Sequence, residues 1–425
     1  MRRPPRRICG PSTTTTRSAK LWRVRIAFLT HEPFFPPSGG GSAAALYLVQ
    51  ELVGRRHEVE VFGPALENTA EVEKQFGIRC RPFTAWRMGR TTRLRTPKYL
   101  AYPNALARLV ARSIASGSRY DAILAQHSIS AVAAGQLRRR FGIPIVLNLL
   151  DCLTGFMEAW PRWIIPRPFA RALVRYELGI PSRSAADVVL TVSDGLRDRI
   201  LATGFPADRV RAIYYGYDPR IFNRAPVRTS TTPPIVVMHG SFDQHHLGKI
   251  ATAAVVDAAR RRPDIRFRFV GPRTPSLARF LAAVRGAVPG IHVEETGFTP
   301  YDRIPSLLSD ATVGITPYEP STGTHCAFVA KTVEYLALGL PVVSTPLDSA
   351  LRYYSGLAGV KFSGTAGEGF AEAILDWIHA SPAARAAAVE PARRKVESEL
   401  DWSIVCRHAA GFIEERLANR RDGSP

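Results

Sequence analysis

Short runs of consecutive apolar residues recur along this chain, separated by stretches whose apolar positions have helical spacing. Residues 24–30, 120–124, 143–149 and 187–191 each contain such a run. Continuous apolar runs of this length read as strands buried on both faces, as in a parallel sheet. After the first of them, Leu46, Val49, Leu52 and Val53 fall on one helical face. A short run at 209–214 closes this series. A second series begins at 235–238 and continues through 265–270, 292–294, 311–315 and 342–344, with helical patterns near 250–261, 277–288 and 304–308 between them. Two β-α alternations predict an α/β chain of two Rossmann-like, doubly wound parallel sheets. The Thr- and Pro-rich run 227–234 reads as the linker, dividing a domain over 23–226 from one over 235–400. Residues 401–420 form a last amphipathic helix, and 1–22 a disordered basic tail.

Composition narrows this picture. At 425 residues, each half is long enough for its own core. No run of about 18 apolar residues is present, so no membrane-spanning helix is expected. The net charge of +21 predicts attraction to polyanions: nucleotides, anionic lipid surfaces or nucleic acid. No aromatic-rich RNA-binding pattern is visible, and no nucleic-acid partner is expected. The five cysteines are scattered without metal or redox spacing, which suits reduced thiols and a cytoplasmic location. Residues 74–120 contain no Asp or Glu, and interleave Arg87, Arg90, Arg93, Arg95 and Lys98 with Trp86, Tyr99 and Tyr102. That segment, with the Trp160 to Trp163 run and its arginines, suits an acceptor cleft or an anionic membrane face, and equally a solvated loop or core packing.

Candidate chemistry sits at two loop-to-helix junctions. Residues 321–346 contain small polar residues, with Thr324 as an N-cap candidate, then a helix carrying Val329, Val333, Leu336 and Ala337 inward. Gly339 caps that helix and Val342 to Ser344 follow as a strand. The N–H groups at such a helix start, here Ala327, Phe328 and Val329, attract phosphate. Glu334 lies further along, at helical spacing from Lys331. It reads either as a ligand of sugar hydroxyls or as half of a solvated ion pair. The second junction is Gly39-Gly40-Gly41 before the first helix, a loop whose backbone can approach a phosphate closely. His127, just past a strand's carboxyl end, stands where parallel sheets bind ligands. His245 and His246 are adjacent with no third ligand in evidence, so no metal site is expected.

The run Lys331-Thr332-Val333-Glu334-Tyr335-Leu336-Ala337, then Gly339, Pro341, Val342 and Val343, resembles the donor-binding segment of GT-B glycosyltransferases, especially family 4. Pro36-Pro37-Ser38-Gly39-Gly40, followed by Glu51-Leu52 and His57 to Phe62, is similar to the start of the same enzymes. The resemblance implies two domains facing across a cleft, with a nucleotide diphosphate sugar held mainly by the second. It places the ribose on Glu334, the transferred sugar near His127, and the diphosphate near the glycine loop. Gly271, with Gly297 and Phe298, falls where the family holds base and ribose. Two departures stand out. Cys326 occupies the position of a second glutamate eight residues before Glu334, and after Gly240 the family's arginine and lysine positions hold Ser241 and Leu247. His246 or Lys249 is then expected to supply the missing cation.

The function expected is transfer of a sugar, with retention and without a metal or other cofactor, to a glycan, lipid-linked or small-molecule acceptor. The enzyme would be cytoplasmic or peripheral on the inner membrane face. A nucleotide-sugar epimerase on the same fold, or a non-catalytic basic adaptor, are the competing readings.

Overall fold

The structure, a computed structural model, describes residues 23–37, 39–83, 95–223 and 233–421. The basic tail, Arg87 and Arg90, and most of the 227–234 linker lie outside the described residues. Seven strands form the first sheet: β1 Arg25–Leu29, β2 Glu58–Pro64, β3 Arg79–Phe83, β4 Ala122–Gln126, β5 Ile145–Leu149, β6 Val188–Thr191 and β7 Val210–Ala212. Six form the second: β8 Ile235–His239, β9 Arg266–Val270, β10 His292–Gly297, β11 Val313–Thr316, β12 Val342–Ser344 and β13 Val360–Phe362. Every pairing is parallel. The orders β3-β2-β1-β4-β5-β6-β7 and β10-β9-β8-β11-β12-β13 each reverse direction beside their first strand. That reversal opens a crevice at the strands' carboxyl ends, between β1 and β4 in one sheet and β8 and β11 in the other.

Continuous apolar runs produce the inner strands. Residues of β4, β5, β6 and β8 are buried along their whole length. The edge strand β3 shows the opposite pattern, Arg-Cys-Arg-Pro-Phe with only Phe83 buried. Periodicity gives no signal for such a strand; its pairing with β2 makes it one.

The two halves meet closely. Gly155, after β5, packs on Gly323 in the short helix Thr322–Cys326; a Cβ on either would stand under 3.0 Å from backbone atoms of the other segment. The Ser193 hydroxyl crosses the boundary to the Cys326 carbonyl at 2.5 Å. The last helix, Trp402–Arg421, returns to the first half, where Glu414 accepts from Arg55 at 2.7 Å and bonds His57 at 2.8 Å. Trp402 stacks on Tyr47 at 5.3 Å.

The donor segment folds differently from its expected single helix. Ser321, not Thr324, caps Thr322–Cys326, and Thr324 completes a capping box with it. The chain then runs extended through Ala327–Val329 before a second helix, Ala330–Ala337. The break lets a new helix start point away from the capping box. Gly323→Ala should lower the denaturation midpoint by an amount equivalent to about 1–3 kcal/mol, because the added methyl meets the Phe156 backbone. Chemical unfolding monitored by circular dichroism measures this.

Candidate functional site

Both sheet crevices open into one cleft of about 1170 Å³ between the halves. On the first side, the helix Gly40–Gly54 begins directly after the glycine loop. Its first residue reaches across the cleft: a Cβ on Gly40 would lie 3.2 Å from the Tyr215 ring and 3.5 Å from the Ala330 Cβ. Ala330 is itself the first residue of the donor helix. Two helix starts, one from each half, therefore face one another, and both present free N–H groups and a positive dipole end. The Gln126 amide donates to the Gly41 carbonyl at 2.9 Å and holds the loop against β4.

His127 follows β4 with φ of +64°, a strained value for a residue with a side chain. It is buried, and among the described residues neither ring nitrogen has a hydrogen-bond partner. A Cβ on Gly41 would stand 3.2 Å from His127 Nε2, so the absence of a side chain there leaves room for the imidazole. Burial lowers the tendency of His127 to protonate, with the Glu32 and Glu177 carboxylates opposing this weakly. The ring is a neutral hydrogen-bonding group facing the cleft.

Asp151 follows β5 and lines the same wall. No protein group hydrogen-bonds its carboxyl among the described residues. Burial, reinforced by Glu32 and Glu177, raises it to about 8, so it carries a proton at neutral pH. Glu177 organises this wall. It accepts from the Leu153 and Thr154 amides at 3.0 and 2.7 Å, from the Thr154 hydroxyl at 2.6 Å, and from Ser128.

On the second side, Gly240 follows β8 with φ of +100°, and Lys331 fills the space where its Cβ would project. The Lys331 ammonium donates to the Tyr318 hydroxyl at 2.8 Å. Burial lowers Lys331 to about 8. Glu334, one turn on, is buried at the cleft wall. Tyr301 donates to its Oε1 at 2.8 Å, and His239 Nε2 lies 2.6 Å from its Oε2. A carboxylate has about four acceptor positions, so two partners fix its orientation and leave capacity for a ligand. The solvated Lys331–Glu334 pair does not form; each residue has a different partner.

Among the other expected site residues, Gly39, Ser241, Ala327, Phe328, Val329 and Trp160 line the cleft, Arg87 and Arg90 lie outside the described residues, and the rest stand as follows. Lys249 is exposed at the start of helix Lys249–Arg261 and outside the cleft, because the Glu319 carboxylate occupies that helix start and accepts from Ile250 N–H at 2.7 Å. Thr324 is fully buried in its capping box. Gly271 lies behind the cleft, where the Gly240 carbonyl leaves no room for a Cβ. His246 lines the cleft but is not a cation: burial holds it well below the usual imidazole range. Its Nδ1 accepts the Asp243 N–H at 3.0 Å, which places the ring proton on Nε2. Asp243, His245 and His246 bring possible ligand atoms within 4.8 Å, so a third group is present after all, although the Nδ1 lone pair of His246 is engaged. Trp163 projects from the surface, 85% exposed. Cys326 is buried against Cys152 behind the cleft wall and does not reach the ligand space. Lys331, Tyr301 and Asp151 carried no assigned role in the sequence; the spacing of Lys331 one turn before Glu334 was the available signal for the first.

Two family profiles match the chain, one for each half: "Glycosyl transferase 4-like domain" over residues 39–216 and "Glycosyl transferases group 1" over 233–380. A putative colanic acid biosynthesis glycosyltransferase, WcaL, from Escherichia coli K12 is 22% identical over 237 residues, covering 54% of this chain and 56% of that protein. The chain thus spans about half the length of this curated relative. Sucrose-phosphate synthase from Thermosynechococcus elongatus superposes with a TM-score of 0.74 at 16% identity, covering 93% of this chain and 100% of that one. HepE from Anabaena, in complex with UDP and glucose, gives 0.69 at 18% identity, covering 92% and 99%. With both halves matched in order and two parallel sheets facing across a cleft, the chain belongs to the group 1, family 4-like glycosyltransferases of the GT-B fold.

Proposed function

We propose that this enzyme transfers a sugar from a nucleotide diphosphate sugar to an acceptor hydroxyl in glycan, glycolipid or cell-surface polysaccharide synthesis. The observation that carries this reading is the pair of opposed helix starts at Gly40 and Ala330, with Lys331 and Glu334 in the same cleft. A diphosphate lodged there meets N–H groups from both halves and the Lys331 ammonium. These are aimed at the charge that grows on the leaving group as the bond to the anomeric carbon breaks. Glu334, oriented by Tyr301 and His239, accepts from the ribose hydroxyls. Phe298, 69% exposed at the cleft edge, offers a face to the base. His127 and Asp151 lie on the opposite wall, where the transferred sugar and the acceptor hydroxyl would meet. The HepE complex with UDP and glucose makes a uridine diphosphate sugar the first donor to test, and the WcaL name supports a polysaccharide pathway. The resemblance to family 4 supports retention of anomeric configuration and independence of divalent ions. The fixed positive potential of the two helix starts and Lys331 supplies a physical route to the latter.

Four measurements test these assignments. Glu334→Ala should weaken nucleotide binding about tenfold or more, the usual loss for a charged hydrogen-bond acceptor; calorimetry showing parent affinity removes the ribose role. His127→Ala should reduce kcat about a hundredfold while the donor Kd changes by less than about threefold; unchanged turnover excludes the histidine from the reaction. Lys331 is cationic below its value of about 8 and neutral above it. Donor affinity should therefore fall between pH 7 and 9 in the parent, and Lys331→Met should flatten that profile. Finally, a chelator should leave turnover unchanged; activity lost on chelation and restored by a divalent cation refutes metal independence and directs attention to Asp243, His245 and His246.

A further inference from the structure

The surface beside the cleft carries a feature that sugar transfer does not use. The chain leaves the wall at Trp160, makes a tight turn, and enters the helix Arg167–Leu178. The Ile164 and Ile165 amides both bond the Pro161 carbonyl, at 2.9 and 3.2 Å, so the turn has defined shape. At its tip Trp163 is 85% exposed and Ile164 46%. The helix buries Ala170, Val174 and Glu177 and turns two other stripes outward. Phe169 and Tyr176, seven residues apart, are 57% and 52% exposed. Arg167, Arg171 and Arg175, at four-residue spacing, are exposed alongside them, as is Arg162 in the turn. None of these four arginines forms an ion pair among the described residues, and residues 160–176 contain no Asp or Glu.

We propose that this turn and helix form a docking surface for an anionic lipid bilayer. Exposed tryptophan and aliphatic side chains insert at the boundary between headgroups and acyl chains, and adjacent arginines bind anionic headgroups. Both elements occur here, with Arg162 beside Trp163 and Ile164 in the turn and an arginine stripe and an aromatic stripe flanking the exposed side of the helix. A two-fold contact centred on Arg162 and the arginine stripe would bring like charges together with no acidic partner from residues 160–176, an arrangement that repels. Single-stranded nucleic acid would use the aromatic rings and arginines but leave Ile164 without a role. Trp160 and Tyr176 line the cleft as well as bordering this surface, so docking brings the cleft mouth to the bilayer. The acceptor hydroxyl then belongs to an amphiphile drawn from that bilayer. This consequence rests on the transferase reading; the docking itself does not.

The test is flotation of the full chain with vesicles of phosphatidylcholine alone and with about 30 mol% phosphatidylglycerol. The chain should float with the anionic vesicles, remain behind with the neutral ones, and be released by high salt. Trp163→Ser and, separately, the triple variant Arg167→Glu, Arg171→Glu, Arg175→Glu should each lose about tenfold or more of the bound fraction. Both should keep the parent's nucleotide affinity and thermal midpoint. Trp163→Ser removes an almost wholly exposed side chain, so it keeps the experiment decisive should the triple variant misfold. Failure of the parent to bind anionic vesicles overturns the proposal. So does binding that survives both substitutions, a dimer that Trp163→Ser dissociates, or retention of single-stranded RNA in place of vesicles. If no nucleotide binds at all, the transferase reading fails while flotation still decides the docking surface.

Discussion

The structure depends on close backbone approach between its two halves. Gly155 and Gly323 pack where neither tolerates a Cβ, and Gly40 meets Tyr215 and Ala330 a short distance away. These contacts set the separation of two helix starts belonging to different sheets. A helix start attracts an anion only over about one turn. Two starts act together only if the chain brings them close to one another, and glycine permits that approach. The capping box at Ser321 and the extended break at Ala327–Val329 serve the same geometry, since they end one helix and aim the next into the cleft.

Burial then decides the charge states around the ligand space. On the donor wall it lowers Lys331 to about 8, which leaves the ammonium charged near neutrality but weakly solvated and responsive to a diphosphate. On the opposite wall it raises Asp151 to about 8 and keeps His127 and its unpartnered nitrogens neutral. The cleft is thus polarised, with positive potential where a leaving diphosphate would sit and neutral, hydrogen-bonding groups where hydroxyls would meet it. Buried polar atoms without partners are costly, and His127 carries two of them on a strained backbone at the cleft wall. The wall beyond becomes apolar toward Trp160 and Tyr176, continuous with the exposed tryptophan and arginines outside.

The sequence by itself determined the fold class, the inner strands and the family. Buried parallel strands need uninterrupted apolar runs, and the donor motif preserves spacings that helix geometry requires. It also marked His127 and the glycine loop, because each stands at a junction where a strand's carboxyl end meets a helix start, and Glu334, through the family motif and its spacing from Lys331. Only the tertiary structure decided which cations line the cleft. Lys249 and His246 were the nearest substitutes for the cations missing at Ser241 and Leu247, yet Glu319 occupies the helix start beside Lys249 and burial keeps His246 uncharged. Lys331 looked like half of a surface pair until the left-handed turn at Gly240 gave it space in the cleft. The edge strand β3, the split of the donor helix and the protonated Asp151 were likewise invisible in the chain. Each depends on neighbours distant in sequence, since pairing, chain direction and desolvation are properties of the surroundings and not of the residue.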